Sequence, residues 1–304
     1  MRIGKVLGVG LVIVALIAGA AVTSVTAAQR SKMIQIKGSD TMVNLVQIMA
    51  EEFMAKNPNI PIAVLGGGSG TGIVGLINKT CDVANHSREI KKSEYEQMAA
   101  QNITPREFII AVDGLSVIVN SKNPVKTLTM ADVGAIYRGD IKNWKDVGGP
   151  DKAISLYGRQ SNSGTYVFMQ EFVLGNKNYS SEMKEMNGNA QIIEGVIKDE
   201  AGIGYVGVGY LFDASGKVRS DLKIVEINKE KGAPAFSPLD KKAVDSGDYP
   251  IARPLYQSTA GKPSPDVAKF LQFVTGPEGQ KIVEKEGFFT IGSGHKAQND
   301  KNLK

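Results

Sequence analysis

The sequence predicts an α/β protein with largely parallel sheets. Short apolar runs of strand length alternate along the chain with stretches whose apolar residues recur at helical spacing. Turns rich in glycine, serine, threonine and aspartate join these runs, and several lead from the end of a strand into the start of a helix. Strands that alternate with helices are typical of parallel sheets covered by helices. A length of 304 residues is sufficient for two domains.

The elements of the first half follow this alternation. Residues 34–37 alternate apolar and polar side chains as a strand does, Gly38-Ser39-Asp40 provides helix-capping residues, and a helix is predicted from Thr41 to Asn57. The other strands predicted in this half are 61–65, 81–84 and 108–120, and the other helices are 73–77 and 92–100. Asp113-Gly114 interrupts the last of these strands.

The second half repeats the pattern up to its polar end. The predicted strands are 154–158, 203–206, 223–227 and 251–256. The predicted helices are 129–137, 165–173, 191–198, 266–274 and 278–286. Residues 294–304 are polar and lack an apolar repeat, so we expect a loose tail there.

The N-terminus has the pattern of a secretory signal peptide over residues 1–28. A basic start precedes an almost uncharged apolar stretch at 6–22, and small residues follow it up to Ala27 and Ala28. An uncleaved membrane anchor is the alternative, since the stretch approaches the length that a spanning helix needs. The small residues at its end favour cleavage near Ala27 and Ala28, and hence an exported protein.

Cysteine and histidine are too scarce for several kinds of chemistry. The single cysteine excludes an internal disulfide, and with only two histidines the chain offers no cluster for a metal or another cofactor. The glycine-rich segment at 66–72 lacks the Gly-Lys-Ser/Thr ending of a nucleotide-binding loop. A serine nucleophile would need His86 or His295 as its base, and neither is well placed by the sequence, so no catalytic residue is assigned.

The net charge of +5 does not indicate a nucleic-acid partner. The 36 basic residues are interspersed with 31 acidic ones, and no basic block alternates with aromatic residues. We therefore expect no nucleic-acid binding, and an affinity for anions would have to come from local groups.

Four turns share the chemistry of an anion site. Each joins a predicted strand to a predicted helix and offers hydroxyl groups, and the glycines among them let backbone N–H groups approach a ligand. The four turns are Gly38-Ser39-Asp40-Thr41, Gly68-Ser69-Gly70-Thr71-Gly72, His86-Ser87-Arg88 and Ser163-Gly164-Thr165. Any one of them could be an ordinary helix cap, but ligand sites in such sheets lie at the carboxyl ends of strands, where all four fall.

Arg159 stands at a predicted strand end, four residues before a capped helix. Its guanidinium can grip two oxygen atoms of an oxyanion, and a solvated surface arginine is the alternative.

With these residues in place, the chain resembles the periplasmic phosphate-binding proteins of the high-affinity phosphate ABC transporter. The resemblance covers nearly all of the chain after the leader. It rests on the motifs 37–41, 68–72, 82–89, 112–120, 136–144, 147–149, Arg159 with 163–165, and 202–207.

The resemblance implies the two-lobed periplasmic-binding-protein fold, in which each lobe is a mostly parallel sheet flanked by helices and two crossover strands join the lobes. One lobe would comprise residues 29–113 and 252–304, and the other 114–251. It also implies a monomer that binds inorganic phosphate in the interlobe cleft and delivers it to an inner-membrane ABC permease. The implied ligand-binding residues are Ser39, Thr41, Ser69, Ser87, Asp113, Arg159, Ser163, Gly164 and Thr165.

Two positions depart from the pattern of some family members. Ser87 and Ser161 stand where those members have carboxylates, and the one at Ser87 accepts the proton of phosphate. Asp113, a hydroxyl or a backbone carbonyl could accept that proton instead. A receptor for sulfate, molybdate or a phosphonate therefore stays open as an alternative, as does a secreted phosphatase.

Overall fold

The computed structural model describes residues 32–213 and 215–304. The predicted signal peptide and its cleavage site near Ala27 and Ala28 lie outside the described residues. The strands are β1 (Ile34–Gly38), β2 (Ile62–Gly67), β3 (Val83–His86), β4 (Arg106–Gly114), β5 (Ser116–Asn120), β6 (Thr127–Thr129), β7 (Ser155–Arg159), β8 (Lys184–Met186), β9 (Gly202–Val206), β10 (Leu222–Asn228), β11 (Ala235–Phe236) and β12 (Ala252–Thr259). The helices are α1 (Val43–Lys56), α2 (Ser69–Ile77), α3 (Lys92–Ala100), α4 (Met130–Arg138), α5 (Gly164–Phe168), α6 (Asn189–Lys198), α7 (Lys241–Ser246), α8 (Pro265–Thr275), α9 (Pro277–Lys285) and α10 (Ser293–Leu303).

The first sheet has the strand order β2-β1-β3-β12-β4. β1 pairs in parallel with β2 and β3, whereas β12 is antiparallel to both β3 and β4. Helices cover the sheet on two sides. On one of them the rings of Phe53 on α1 and Phe270 on α8 meet edge to face at 5.4 Å, and elsewhere α2 and α3 bury a smaller cluster that includes Leu76 and Met98.

The second sheet has the order β11-β10-β5-β9-β7-β8, and β6 pairs with β10. β7 is parallel to β8 and β9, but β5 is antiparallel to both of its neighbours, so the sheet is mixed. Tyr137 on α4 and Tyr205 on β9 pack their rings together in its core. The predicted α/β class is confirmed, with helices packed against two sheets. The expectation of mostly parallel sheets is not met, because antiparallel strand pairs are as frequent as parallel ones in the described residues.

The chain crosses between the sheets at two adjacent places. β4 of the first sheet leads through Leu115 into β5 of the second, and the chain returns to the first sheet in β12. β4 and β12 are antiparallel neighbours, so that Ala252 faces Gly114 and Arg253 faces Asp113. The residues of one crossing therefore touch those of the other.

The prediction of a loose C-terminal tail is wrong, because residues 293–303 form α10. This helix attaches to the β4 edge through side-chain amides. Asn299 accepts from the Ile109 N–H (3.0 Å) and donates to the Ile109 carbonyl (2.7 Å), and Asn302 donates to the Glu107 carbonyl (2.7 Å). A helix that docks through amides needs no apolar stripe, so its sequence shows no helical repeat.

Within residues 32–213 and 215–304, none of the helices combines the length and apolar character needed to cross a membrane.

Candidate functional site

Three of the predicted turns of the first sheet bring their serine hydroxyls together. The Ser39 hydroxyl donates to Ser87 Oγ at 2.9 Å, and the Ser87 N–H donates to Ser69 Oγ at 3.1 Å. The Oγ atoms of Ser69 and Ser87 are 3.4 Å apart, and all three side chains are buried. The turns follow β1, β2 and β3, which are parallel neighbours, so their carboxyl ends lie together at one edge of the sheet.

A turn of the second sheet completes this cluster. Thr165 follows β7 and lies with its Oγ1 3.0 Å from Thr41 Oγ1 of the first sheet, and both threonines are buried. Ser163 caps α5, where its hydroxyl oxygen accepts from the N–H of Thr165 (3.2 Å) and of Tyr166 (3.4 Å). Since that oxygen is used as an acceptor, the Ser163 proton is left to donate elsewhere.

Gly164 lets the start of α5 approach the turns of the first sheet closely. A Cβ atom built on it would lie 2.2 Å from Ser69 Oγ and 2.8 Å from Ser87 Oγ. A side chain at this position would push the start of α5 away from the hydroxyls of the first sheet. The structure thus brings together seven of the predicted site residues, and their role in ligand binding stays a prediction. They are Ser39, Thr41, Ser69, Ser87, Ser163, Gly164 and Thr165.

Arg159, the last residue of β7, is 2% exposed and forms an ion pair with Asp40. Its Nε donates to the Met186 carbonyl at 3.3 Å and its Nη2 to the Asn187 carbonyl at 2.9 Å. Its Nη1 is buried and has no hydrogen-bond partner in the part of the chain that the structure describes. A buried donor of a charged group without an acceptor is costly, and a bound anion would satisfy it.

A series of hydrogen-bonded tyrosines supports the backbone of Arg159. The Arg159 N–H donates to the Tyr205 hydroxyl at 3.0 Å, which donates to the Tyr179 hydroxyl at 3.4 Å, which in turn donates to the Tyr166 carbonyl at 2.9 Å. Burial raises the pKa of Tyr205 to about 12, so this hydroxyl keeps its proton at neutral pH. This series fixes the backbone from which the guanidinium extends.

Asp113 is buried at the crossover, where donors occupy both of its oxygen atoms. Oδ1 accepts from the Val208 N–H at 2.8 Å, and Oδ2 accepts from Nε (3.1 Å) and Nη2 (2.9 Å) of Arg253. This carboxylate is therefore already compensated in the structure. Its role as the acceptor of a ligand proton stays a prediction.

Arg253 belongs to the cluster although the sequence did not indicate it. It is 2% exposed, donates to the Ser87 carbonyl and to Thr165 Oγ1, both at 2.9 Å, and lies 5.1 Å from the centre of the Phe168 ring. A further contact reaches Thr41 Oγ1 at 3.5 Å. Most of the predicted site residues lie in turns between strands and helices, whereas Arg253 lies within β12. The sequence did offer one signal for Arg253, namely that it is a basic residue in a strand predicted to cross between the lobes.

Three further hydrogen bonds hold the turns of the two sheets in contact. The Gly70 N–H donates to the Asn162 carbonyl at 3.0 Å, and the Asn162 amide donates to the Gly67 carbonyl at 2.9 Å. The Tyr210 hydroxyl donates to the Asp40 carbonyl at 2.8 Å. These hydrogen bonds join the turns around the hydroxyls of Ser39, Thr41, Ser69, Ser87, Ser163 and Thr165, which we call the hydroxyl cluster.

His86 holds the turn that carries Ser87. Its Nδ1–H donates to the Arg88 carbonyl at 2.7 Å, and its Nε2 lies 2.6 Å from the Ser258 hydroxyl. Burial lowers the pKa of His86 to about 4, so at neutral pH the ring is neutral and its Nε2 accepts from Ser258. The neighbouring Arg88 pairs with Glu94 at 2.7 Å and does not reach the hydroxyl cluster. His86 is thus a structural support and not a base for a serine nucleophile.

The depressed pKa of His86 predicts that stability falls in acid. The unfolded chain takes up a proton near the ordinary histidine pKa of 6.5 and the folded chain only near 4, so the free energy of unfolding decreases as the pH falls from 6.5 to 4. The decrease attributable to His86 reaches about 3 kcal/mol. Urea unfolding across this pH range measures it, and His86→Gln, whose side chain does not titrate, should flatten the curve. An equal slope in both proteins would contradict the prediction.

Comparisons with known proteins place the chain among similar sequences and structures. A model of the PBP superfamily domain matches residues 23–278. The phosphate-binding protein PstS of Pseudomonas aeruginosa is 32% identical over 271 residues, which cover 84% of this chain and 81% of that protein. The protein of the same name from Borreliella burgdorferi is 31% identical and is covered to 90% by 86% of this chain.

Solved structures agree with these relatives. A putative phosphate ABC transporter substrate-binding protein with bound phosphate from Clostridium perfringens superposes with a TM-score of 0.75 at 28% identity, covering 86% of this chain and 100% of that one. An ABC-type phosphate transport receptor from Vibrio cholerae gives a TM-score of 0.67 at 26% identity, covering 85% and 100%.

Proposed function

The chain belongs to the PBP superfamily and, within it, to the family of phosphate-binding proteins, and from this membership we propose that it binds inorganic phosphate between its two sheets for an ABC transporter. The observation that carries the proposal is the buried Nη1 of Arg159, which has no partner in the described residues. The ion-pair partner of Arg159 is Asp40, the residue before Thr41 of the hydroxyl cluster. A tetrahedral anion would supply the acceptors that such donors need.

The site is suited to an anion that has lost its water. Ser163 and Ser69 hold hydroxyl oxygens that already accept from backbone N–H groups, so their protons are free to donate to a ligand. Arg159 provides the positive charge, and burial strengthens its attraction for an anion. Phosphate would thus exchange its hydration shell for fixed donors.

In the proposed mechanism, two lobes, each built around one of the sheets, move relative to one another. We take residues 29–113 with 252–304 as one lobe and 114–251 as the other, linked where β4 and β12 cross. The contacts of Thr41 with Thr165 and of Gly70 with Asn162 join the lobes, so they would form as the lobes close on phosphate. The closed protein, acting as a monomer in the periplasm, would then dock on an inner-membrane permease.

The proposal assigns no catalysis to the site. The serines donate to one another or accept from the backbone, and His86 uses both ring nitrogens in structural contacts. A nucleophile would need a free base beside it.

Calorimetry tests the proposal directly. We expect one phosphate per chain, bound more tightly than sulfate or molybdate, because the more basic oxygens of phosphate accept stronger hydrogen bonds from the fixed donors. A phosphonate should also bind more weakly, because its organic substituent replaces one of the four oxygens that the donors can contact. Incubation with a generic phosphate ester should release no phosphate. Tighter binding of another oxyanion, or turnover of the ester, would contradict the proposed function.

A further inference from the structure

We propose that Arg253 is a positioning residue of this site, one that fixes the Thr41 and Thr165 hydroxyls as donors and so makes the site select the dianionic form of phosphate. The inference rests on the proposed function and goes beyond it, because it names the residue that sets which protonation state is bound.

The positive charge of Arg253 is already compensated. Each of its three nitrogens has a protein acceptor, with Nε and Nη2 on Asp113, Nη1 on the Ser87 carbonyl, and Nη2 also on Thr165. Arg159 is also paired with a carboxylate, that of Asp40, but its Nη1 has no partner among the described residues. Of these two arginines, Arg159 is therefore the one with a donor left for the ligand, and Arg253 acts through the groups that it holds.

The hydrogen bonds from Arg253 occupy acceptor positions on both threonines. A guanidinium only donates, so Thr165 Oγ1 accepts from Arg253 at 2.9 Å and Thr41 Oγ1 accepts from it at 3.5 Å. The two hydroxyls are 3.0 Å apart, and either one can donate to the other. The threonine that accepts this hydrogen bond then accepts twice, so both of its lone pairs are used and its own proton can only be donated. The pair is thus a donor toward the anion.

Asp113 reinforces this bias. Its carboxylate accepts one hydrogen bond from the Val208 N–H and two from Arg253, so most of its acceptor capacity is already used. Monoanionic phosphate carries two O–H groups and the dianion one, and each buried O–H without an acceptor weakens binding. Fixed donors therefore favour the dianion over the monoanion.

Other ionisable groups around the threonine pair do not account for a change in phosphate affinity between pH 6 and 8. The charged and titratable side chains on the elements packed there are Asp40, His86, Arg88, Asp113, Arg159, Tyr166, Tyr205, Tyr210, Tyr249 and Arg253. The pKa of His86 is about 4, and burial raises the pKa values of Tyr205 and Tyr210 to about 12, that of Tyr249 well above its usual value and that of Tyr166 above its usual value. Asp40 and Asp113 are paired with arginines. Phosphate itself, which loses its second proton near neutral pH, is then the group that titrates.

Calorimetric titration with phosphate at pH 6 and pH 8 tests the inference. For the unaltered protein we expect about tenfold tighter binding at pH 8. In Arg253→Gln, whose amide oxygen can accept from Thr165, the hydroxyls regain the ability to accept, and the ratio between the two pH values should fall below about twofold. Arg219→Gln removes an arginine whose partner is the partly exposed Asp221 and should behave like the unaltered protein.

Each outcome bears on the inference. A flat pH profile of the unaltered protein overturns it. An Arg253→Gln variant that binds phosphate more weakly at both pH values, with an unchanged ratio of the two affinities, also overturns it, because Arg253 would then have only a structural role. If Arg253→Gln does not fold, Arg253→Lys keeps the charge beside Asp113 but cannot make all of the hydrogen bonds, and its ratio should lie between the other two. A chain that binds no phosphate at either pH contradicts the proposed function instead.

Discussion

Arg159→Met should reduce the affinity for phosphate at least about a thousandfold, an effect of about 4 kcal/mol. The methionine keeps much of the volume of the buried side chain but removes the guanidinium, whose Nη1 lacks a partner among the described residues. A dehydrated anion would then face hydroxyl dipoles without its counter-charge. Calorimetry or equilibrium dialysis with phosphate measures the loss.

The variant has a second consequence that needs its own control, because it leaves Asp40 without its ion pair. The double variant Arg159→Met with Asp40→Asn removes both charges, and it should bind phosphate as poorly as the single variant. Recovery of binding in the double variant would show that an unpaired Asp40, and not the loss of Arg159, had repelled the anion.

Gly164→Ala is expected to lower the affinity by about 10- to 100-fold while leaving the fold intact. The added Cβ would lie 2.2 Å from Ser69 Oγ, so the start of α5 must move away from the first sheet. Alanine suits a helix start as well as glycine does, so the cost falls on the closed site and not on α5 itself. Binding assays with phosphate, together with thermal unfolding, separate the two effects.

Gly188→Ala is the matched control. Gly188 also precedes a helix, α6, and a Cβ built there meets no atom within 4 Å. This variant should bind phosphate like the unaltered protein. Equal losses in the two variants would mean that helix starts in general, and not the contact of Gly164 with Ser69, control the affinity.

Much of the candidate site could be predicted from the sequence because its residues follow strands that can be recognised locally. The turns with Ser39, Ser69 and Ser87 end β1, β2 and β3, and parallel neighbours carry their carboxyl ends to one edge. Their contact with Thr165, however, depends on how two sheets meet. Local patterns do not encode that relation, and only the resemblance to a family implied it.

Very short strands and contacts between distant parts of the chain could not be predicted. Strands of two or three residues, such as β6, β8 and β11, are too short to show an alternation. The ion pair of Asp40 with Arg159 joins positions 119 residues apart, and Asp40 was interpreted only as a capping residue. Pairs between such distant positions form only when the complete fold brings them together. The local sequence around either residue therefore does not predict them.

The place of β12 also governs when the molecule can fold. β12 lies between β3 and β4 in the first sheet, and β12 is the neighbour through which β4 joins that sheet. The sheet cannot be completed until residues 252–259 have been synthesised, although β1 to β4 end at Gly114. Closing such a distant pairing is slow, because a long loop must be ordered first. For a chain that we propose to be exported, this delay would keep the nascent polypeptide incompletely folded, as passage through a secretion channel requires.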